Sequence, residues 1–136
     1  MREILFRGKR LDNGEWVYGD LVWLMDGNKK SLYIYGKAEV NPATIGQYTG
    51  LTDKNGKRIF EGDVVAQSWY DHDEPIDDVF GEVVYCTNDC SFSVLNMEKG
   101  TMDQLGHCKA FAWEIEVCGN IHDNPELLKG EGNESI

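Results

Sequence analysis

Residues 111–121 read Phe111-Ala112-Trp113-Glu114-Ile115-Glu116-Val117-Cys118-Gly119-Asn120-Ile121. Apolar and polar positions alternate. Phe111, Trp113, Ile115 and Val117 therefore share one face of a strand, and Glu114 and Glu116 take the other. A one-residue slip would expose the whole aromatic-aliphatic set, so the register of this strand is tightly specified. It is the clearest element in the chain and sets the expectation of a mostly-β protein.

Working outward, the same kind of segment recurs. Gly81-Glu82-Val83-Val84-Tyr85 alternates, and Ser91-Phe92-Ser93-Val94-Leu95 reads as a strand. Upstream, Asp53-Lys54-Asn55-Gly56 suits a type I turn with Gly56 at positive φ, as in a bulged hairpin. Glu61-Gly62-Asp63 is a second turn, leading into the strand Val64-Val65-Ala66. Near the start, Asp12-Asn13-Gly14 signals a hairpin between Ile4–Arg10 and a return strand read as continuous from Trp16 to Leu24. Asp26-Gly27-Asn28 then turns the chain into a third strand, Ser31–Tyr35. Asn41-Pro42 is an extended connector. Asp71 to Asp78 reads as an acidic loop. Asn124-Pro125-Glu126 resembles a helix start, with Asn124 as the cap, followed by one or two turns before Gly130.

Composition agrees with this reading. Across 136 residues the hydrophobic content is 41%, with 15 Gly and 3 Pro. Many glycines between short apolar runs suit tight turns. The formal net charge of −11 argues against a phosphate-binding surface, which draws on clustered Lys and Arg. The short basic stretches, residues 7–10, 29–30 and 54–58, read as solvated turns or edges. No run approaches the ~18 apolar residues of a membrane span. The first residues lack the apolar core of a signal peptide, so a cytoplasmic protein with reduced cysteines is expected.

Four blocks carry a resemblance. They are Met1–Gly8; Gln47-Tyr48-Thr49-Gly50-Leu51 with Asp53 and Asn55-Gly56; Ile59-Phe60-Glu61-Gly62-Asp63-Val64-Val65; and Glu116–Leu128. In this order they resemble the YopX family of phage and prophage proteins. The resemblance implies a gene carried by a bacteriophage or integrated element, and an all-β fold with barrel-like parts. It implies no activity, ligand or catalytic residue. The stretches 71–78 and 86–108 match no family pattern. The turn-then-strand pattern at Glu61–Val65 is also similar to small SH3-like barrels, an analogy of shape alone.

Several constellations bear on chemistry. Cys86, Cys90, His107, Cys108, Cys118 and His122 are zinc-ligand types. No second close Cys pair follows Cys86-x3-Cys90, and adjacent His107 and Cys108 would point to opposite faces of a strand. No metal site is therefore assigned; Cys86, Cys90, Cys108 and His122 are the residues that would form one. The acidic stretch lacks the glycine and terminal Glu of an EF-hand loop. Cys90 with His107, or Cys108 with His122, would be the thiolate–imidazole pairs of a nucleophilic site, but nothing in the spacing brings them together. There is no Gly-x-Ser-x-Gly elbow or phosphate-binding glycine loop. Trp16, Tyr18, Trp23, Tyr33 and Tyr35 crowd the N-terminal meander. One face of that meander is expected to be core; the other is either an interface or buried under the second half of the chain.

The expected architecture is all-β. An N-terminal aromatic-rich meander (1–46) and a C-terminal SH3-like barrel (47–129) share one core and count as one domain, with a short C-terminal helical turn and a polar tail (130–136). The expected function is a non-enzymatic protein-interaction module of a phage or mobile element, without a cofactor, that binds a protein partner or itself and engages neither nucleic acid nor membrane. The alternative is a small-ligand- or metal-binding module, with catalysis left open, in the Cys/His-bearing C-terminal half. A third idea, acidic mimicry of DNA, requires a continuous stripe of carboxylates.

Overall fold

The computed structural model describes residues 3–96, 98–106 and 112–128. Its elements are almost all antiparallel strands, as expected, and the chain divides into two compact units, residues 1–50 and 51–136.

The first unit contains β1 (Phe6–Lys9), β2 (Trp16–Gly19), β3 (Leu21–Asp26), β4 (Lys29–Ile34), β5 (Ala38–Glu39) and the start of β6 (Gly46–Thr52). The hairpin expected at Asp12-Asn13-Gly14 is present. Gly14 donates its N–H to the Arg10 carbonyl (2.9 Å), and the Asn13 side chain accepts from the Glu15 N–H (2.9 Å). The return strand is not continuous. It breaks between β2 and β3, and the two parts join different sheets: β2 pairs with β1, and β3 with β4. Gly19 makes the break. Its φ of +154° is one that L side chains rarely adopt, and a Cβ there would lie 3.0 Å from Ile34 Cγ2. The sequence shows a run of strand formers, but the close approach to Ile34 is tertiary. Pro42–Thr44 forms a 3-10 turn capped by the Asn41 side chain, and Thr44 Oγ1 accepts the Lys9 N–H at 2.8 Å. Leu32, Ile34 and Val40 are the buried core of this unit, with Phe6, Val17, Leu21 and Ile45 packed around them.

In the second unit the turn at Asp53–Gly56 has the expected form, with Gly56 at φ +84° and its N–H bonded to the Asp53 carbonyl. The turn leads into β7 (Arg58–Phe60). Beyond it come β8 (Asp63–Asp71), β9 (Glu74–Cys86), β10 (Ser91–Asn96), β11 (Met102–Gln104) and β12 (Ala112–Asn120). They form one five-stranded sheet in the order β11-β10-β9-β8-β12. The expected barrel is thus an open sheet among the described residues. Its core is Ile59, Val65, Val79, Val83, Val94, Leu105 and Ile115. Ten of the buried apolar residues fall into two clusters, the three above in the first unit and these seven in the second.

The acidic stretch 71–78 is not a loop. It is the end of a long hairpin: β8 and β9 meet at His72-Asp73, both at positive φ (50° and 70°), with Asp71 paired to Glu74. Two successive left-handed residues make the primed turn that matches strand twist. Exposed carboxylates and Pro75 mask the strand locally, and pairing with β8 supplies what the sequence pattern lacks. The β12 alternation holds at its centre, with Ile115 buried, Val117 half-buried, and Glu114 and Glu116 exposed, whereas Trp113, expected on the core face, is exposed at 37%. Phe111 lies outside the described residues. Helical residues 126–128 follow Asn124, whose side chain accepts the Asn120 N–H at 3.2 Å. The tail 130–136 also lies outside the described residues.

Candidate functional site

The sheet β3-β4-β5, with the residue just after β4, carries four of the seven exposed large apolar side chains of the first unit. In the β3–β4 register Leu21 faces Ile34, Trp23 faces Leu32 and Met25 faces Lys30, so these share the core side of the sheet. Val22 faces Tyr33 and Leu24 faces Ser31 on the opposite side. The core covers only the Leu21 end of β3. Trp23 (49%), Leu24 (50%) and Met25 (64%) are exposed, as is Tyr35 (72%) just after β4. On the outer side, Val22, Leu24, Tyr33, Tyr35 and Lys37 line an open cavity of about 310 Å³ whose walls are mainly apolar. The Lys37 ammonium is tied to the Tyr18 carbonyl at 2.5 Å. Lys30 Nζ lies 4.4 Å from the Trp23 ring centroid, a cation–π contact at a partly wet site.

The five aromatic residues singled out in the sequence therefore separate into two environments. Trp23, Tyr33 and Tyr35 belong to the exposed sheet. Trp16 and Tyr18 lie on β2, opposite Lys9 and Arg7. Trp16 is half-buried under Arg7, whose guanidinium carbon is 4.5 Å from the ring centroid, and Lys9 Nζ is 5.4 Å away. That arrangement holds Trp16 in the fold. Leu24 and Met25 were not among the sequence candidates. The signal for them is five consecutive apolar residues, Leu21 to Met25, which fill both parities of one strand where a half-buried strand would alternate.

The Cys/His-bearing half is arranged differently. Cys86 and Cys90 flank the β9–β10 turn; Cys86 Sγ approaches Asp89 Oδ2 at 3.7 Å and Cys90 Sγ the Thr87 carbonyl at 3.6 Å. Cys118 sits at an irregularity of β12 between Val117 and Gly119. Burial, and then the charge of Glu116, push its thiol pKa up, which keeps it protonated and a poor nucleophile. His122 is half-buried, its N–H bonded to Asn120 Oδ1 at 3.0 Å. His107 and Cys108 lie outside the described residues. Among the described residues no group of three or more His, Cys, Asp or Glu could hold a metal ion, and no helix is long and apolar enough to cross a membrane.

Asp53 is a buried carboxylate that accepts three backbone bonds. Oδ1 accepts the Asn55 and Lys57 N–H groups, both at 2.9 Å, and Oδ2 accepts the Val117 N–H at 3.0 Å. Burial alone would raise its pKa; the three backbone donors and the Lys57 charge outweigh it, and the net shift is downward. It ties the 53–57 turn to β12 and has no solvent-facing task.

Comparison with known proteins settles the family. The YopX protein family matches residues 5–129, nearly the whole chain. The chain belongs to the YopX family. Among solved structures it is similar to protein EF1440 from Enterococcus faecalis, at 22% identity over 94% of this chain and 99% of that one, with a TM-score of 0.49. No curated protein matches the chain.

Proposed function

We propose that this YopX-family chain is a non-enzymatic protein-interaction module, encoded by a phage or mobile element and acting in the cytoplasm, with the β3-β4-β5 sheet as its docking surface. One observation carries the reading: Leu24 and Tyr35 stand exposed beside the apolar cavity on the outer side of this small sheet, with Trp23 and Met25 exposed on its other side. Contiguous exposed apolar groups on a soluble protein commonly mark a contact surface. Trp and Tyr also supply the anchors that dominate binding energy when a partner desolvates them. The YopX resemblance supports the phage setting.

The test compares tagged wild-type protein with Leu24→Glu and Tyr35→Glu, recovered from the same producing cells. Tyr85→Glu, at an exposed residue of the second unit, is the control. The expected result is a partner retained by wild type and control and lost by both sheet variants. A partner indifferent to the sheet variants would overturn the assignment of the surface. Native mass spectrometry covers the ligand-binding alternative: added mass that disappears in Cys86→Ser or His122→Ala would replace the present reading with that one.

A further inference from the structure

β3 is an edge strand. In the sheet order β3-β4-β5 it has a neighbour on one side alone. Tyr35 donates its N–H to the Asp20 carbonyl at 2.8 Å, which fixes the phase of the ladder. Hydrogen-bonded and non-hydrogen-bonded positions alternate in an antiparallel pair. Even-numbered residues of β3 therefore turn their backbone groups to β4, and Leu21, Trp23 and Met25 turn theirs outward. Among the described residues none of these outward groups has a partner. Edge strands are normally blunted by an inward charge, a proline or a bulge. Leu21 to Met25 has none of these: it is apolar throughout and pairs with β4 without a register shift.

The outward groups of this strand are complementary to themselves. We propose that β3 pairs antiparallel with β3 of a second copy, about a two-fold axis through Trp23. The proposal rests on the docking surface above and names its occupant. In this register Leu21 faces Met25 of the second copy, Trp23 faces Trp23, and Met25 faces Leu21. All three outward-facing residues of each strand are then used, for about six backbone hydrogen bonds. A shift of two residues in either direction leaves one of the three without its counterpart, and a shift of one residue opposes outward groups to inward ones. On the outer side Val22 meets Leu24, so every pair between 21 and 25 is apolar. A two-fold contact of this kind closes on itself and gives a discrete dimer, not a filament.

The register also places one unfavourable contact. Asp20 faces Asp26 of the second copy at both ends of the paired segment, and like charges directly opposite are destabilising. Added salt screens this contact and the repulsion between two chains of net charge −11, and so tightens the dimer; the charge exchange at 20 and 26 is what reports the register. Association with a basic partner strand would weaken with salt instead.

The test is sedimentation velocity on the full chain over a concentration series, with far-UV circular dichroism as the check on folding. The wild type is expected to show a reversible dimer strengthened by salt. Asp20→Lys turns both repulsive contacts into opposite-charge pairs and should tighten the dimer about tenfold. Adding Asp26→Lys to that variant restores like charges and should return it towards wild type. Met25→Pro removes an outward N–H without touching the β4 ladder, and Trp23→Lys places like charges on the axis; both should be monomeric and folded. If one of these two fails to fold, the charge exchange at 20 and 26 decides alone. A wild type that stays monomeric at all concentrations would overturn the pairing. It would leave the docking surface standing if Leu24→Glu and Tyr35→Glu still lose a partner. A dimer indifferent to Met25→Pro and to the charge exchange would also overturn it, by placing the contact elsewhere.

Discussion

The two units differ in how much apolar surface they bury. The first gathers Leu32, Ile34 and Val40 into its buried cluster and leaves Trp23, Leu24, Met25 and Tyr35 exposed; the second gathers seven buried residues and exposes Ile76, Tyr85, Met102 and Trp113. Charge separates them too. Residues 1–50 hold 7 Lys/Arg and 6 Asp/Glu, a net of +1; residues 51–136 hold 6 and 18, a net of −12. The second unit thus has the larger core to hold its fold and a surface charge that keeps copies apart. The first carries a small core and a nearly neutral, sticky surface. The difference teaches where to look for a stability defect and where for an association defect.

The sharpest way to break the contrast is to truncate each side in turn. Ile115→Ala in the second unit removes a fully buried side chain and should cost about 3 kcal/mol or more in denaturant unfolding. Met25→Ser in the first unit removes an exposed one and should stay within about 0.5 kcal/mol for the monomer. Equal costs would erase the distinction.

Asp53→Ala sharpens the contrast within the second unit. It removes the acceptor for three backbone N–H groups and should cost about 2 kcal/mol. The pH dependence follows from the lowered pKa. Its folded value lies below its unfolded one, so its contribution is complete above the unfolded value and is lost as pH falls through the folded value. Urea midpoints measured downward from about pH 5 should fall more steeply for wild type than for Asp53→Ala.

The smallest effect is a gain. Asp73 holds φ at +70°, so Asp73→Gly should stabilise the protein by up to about 1 kcal/mol, read as a rise in thermal midpoint. No change or a loss would mean that the aspartate itself supports the turn.

The parts legible in the sequence are those whose signal is local. Ile115 with its flanking glutamates announces a strand by alternation, and Asp53 to Gly56 announces a turn by residue type. The break at Gly19 is illegible because its cause, Ile34, lies on another strand. The hairpin through 71–78 is illegible because carboxylates on a doubly solvated ribbon look like a loop until β8 is seen beside them. The same holds for the site. The crowding of aromatics was legible, but their exposure was not: separating half-buried Trp16, held under Arg7, from exposed Trp23, on a bare edge, requires cross-strand register.

The turn at His72-Asp73 has a consequence for the order of events during folding. It joins β8 and β9, of 9 and 13 residues, across two residues, the shortest chain closure a hairpin allows. The Asp53–Val117 bond, by contrast, links positions 64 apart in the chain. The hairpin is therefore the natural nucleus, with β12 docking onto it afterwards. Ile115→Ala should accordingly speed unfolding far more than it slows folding.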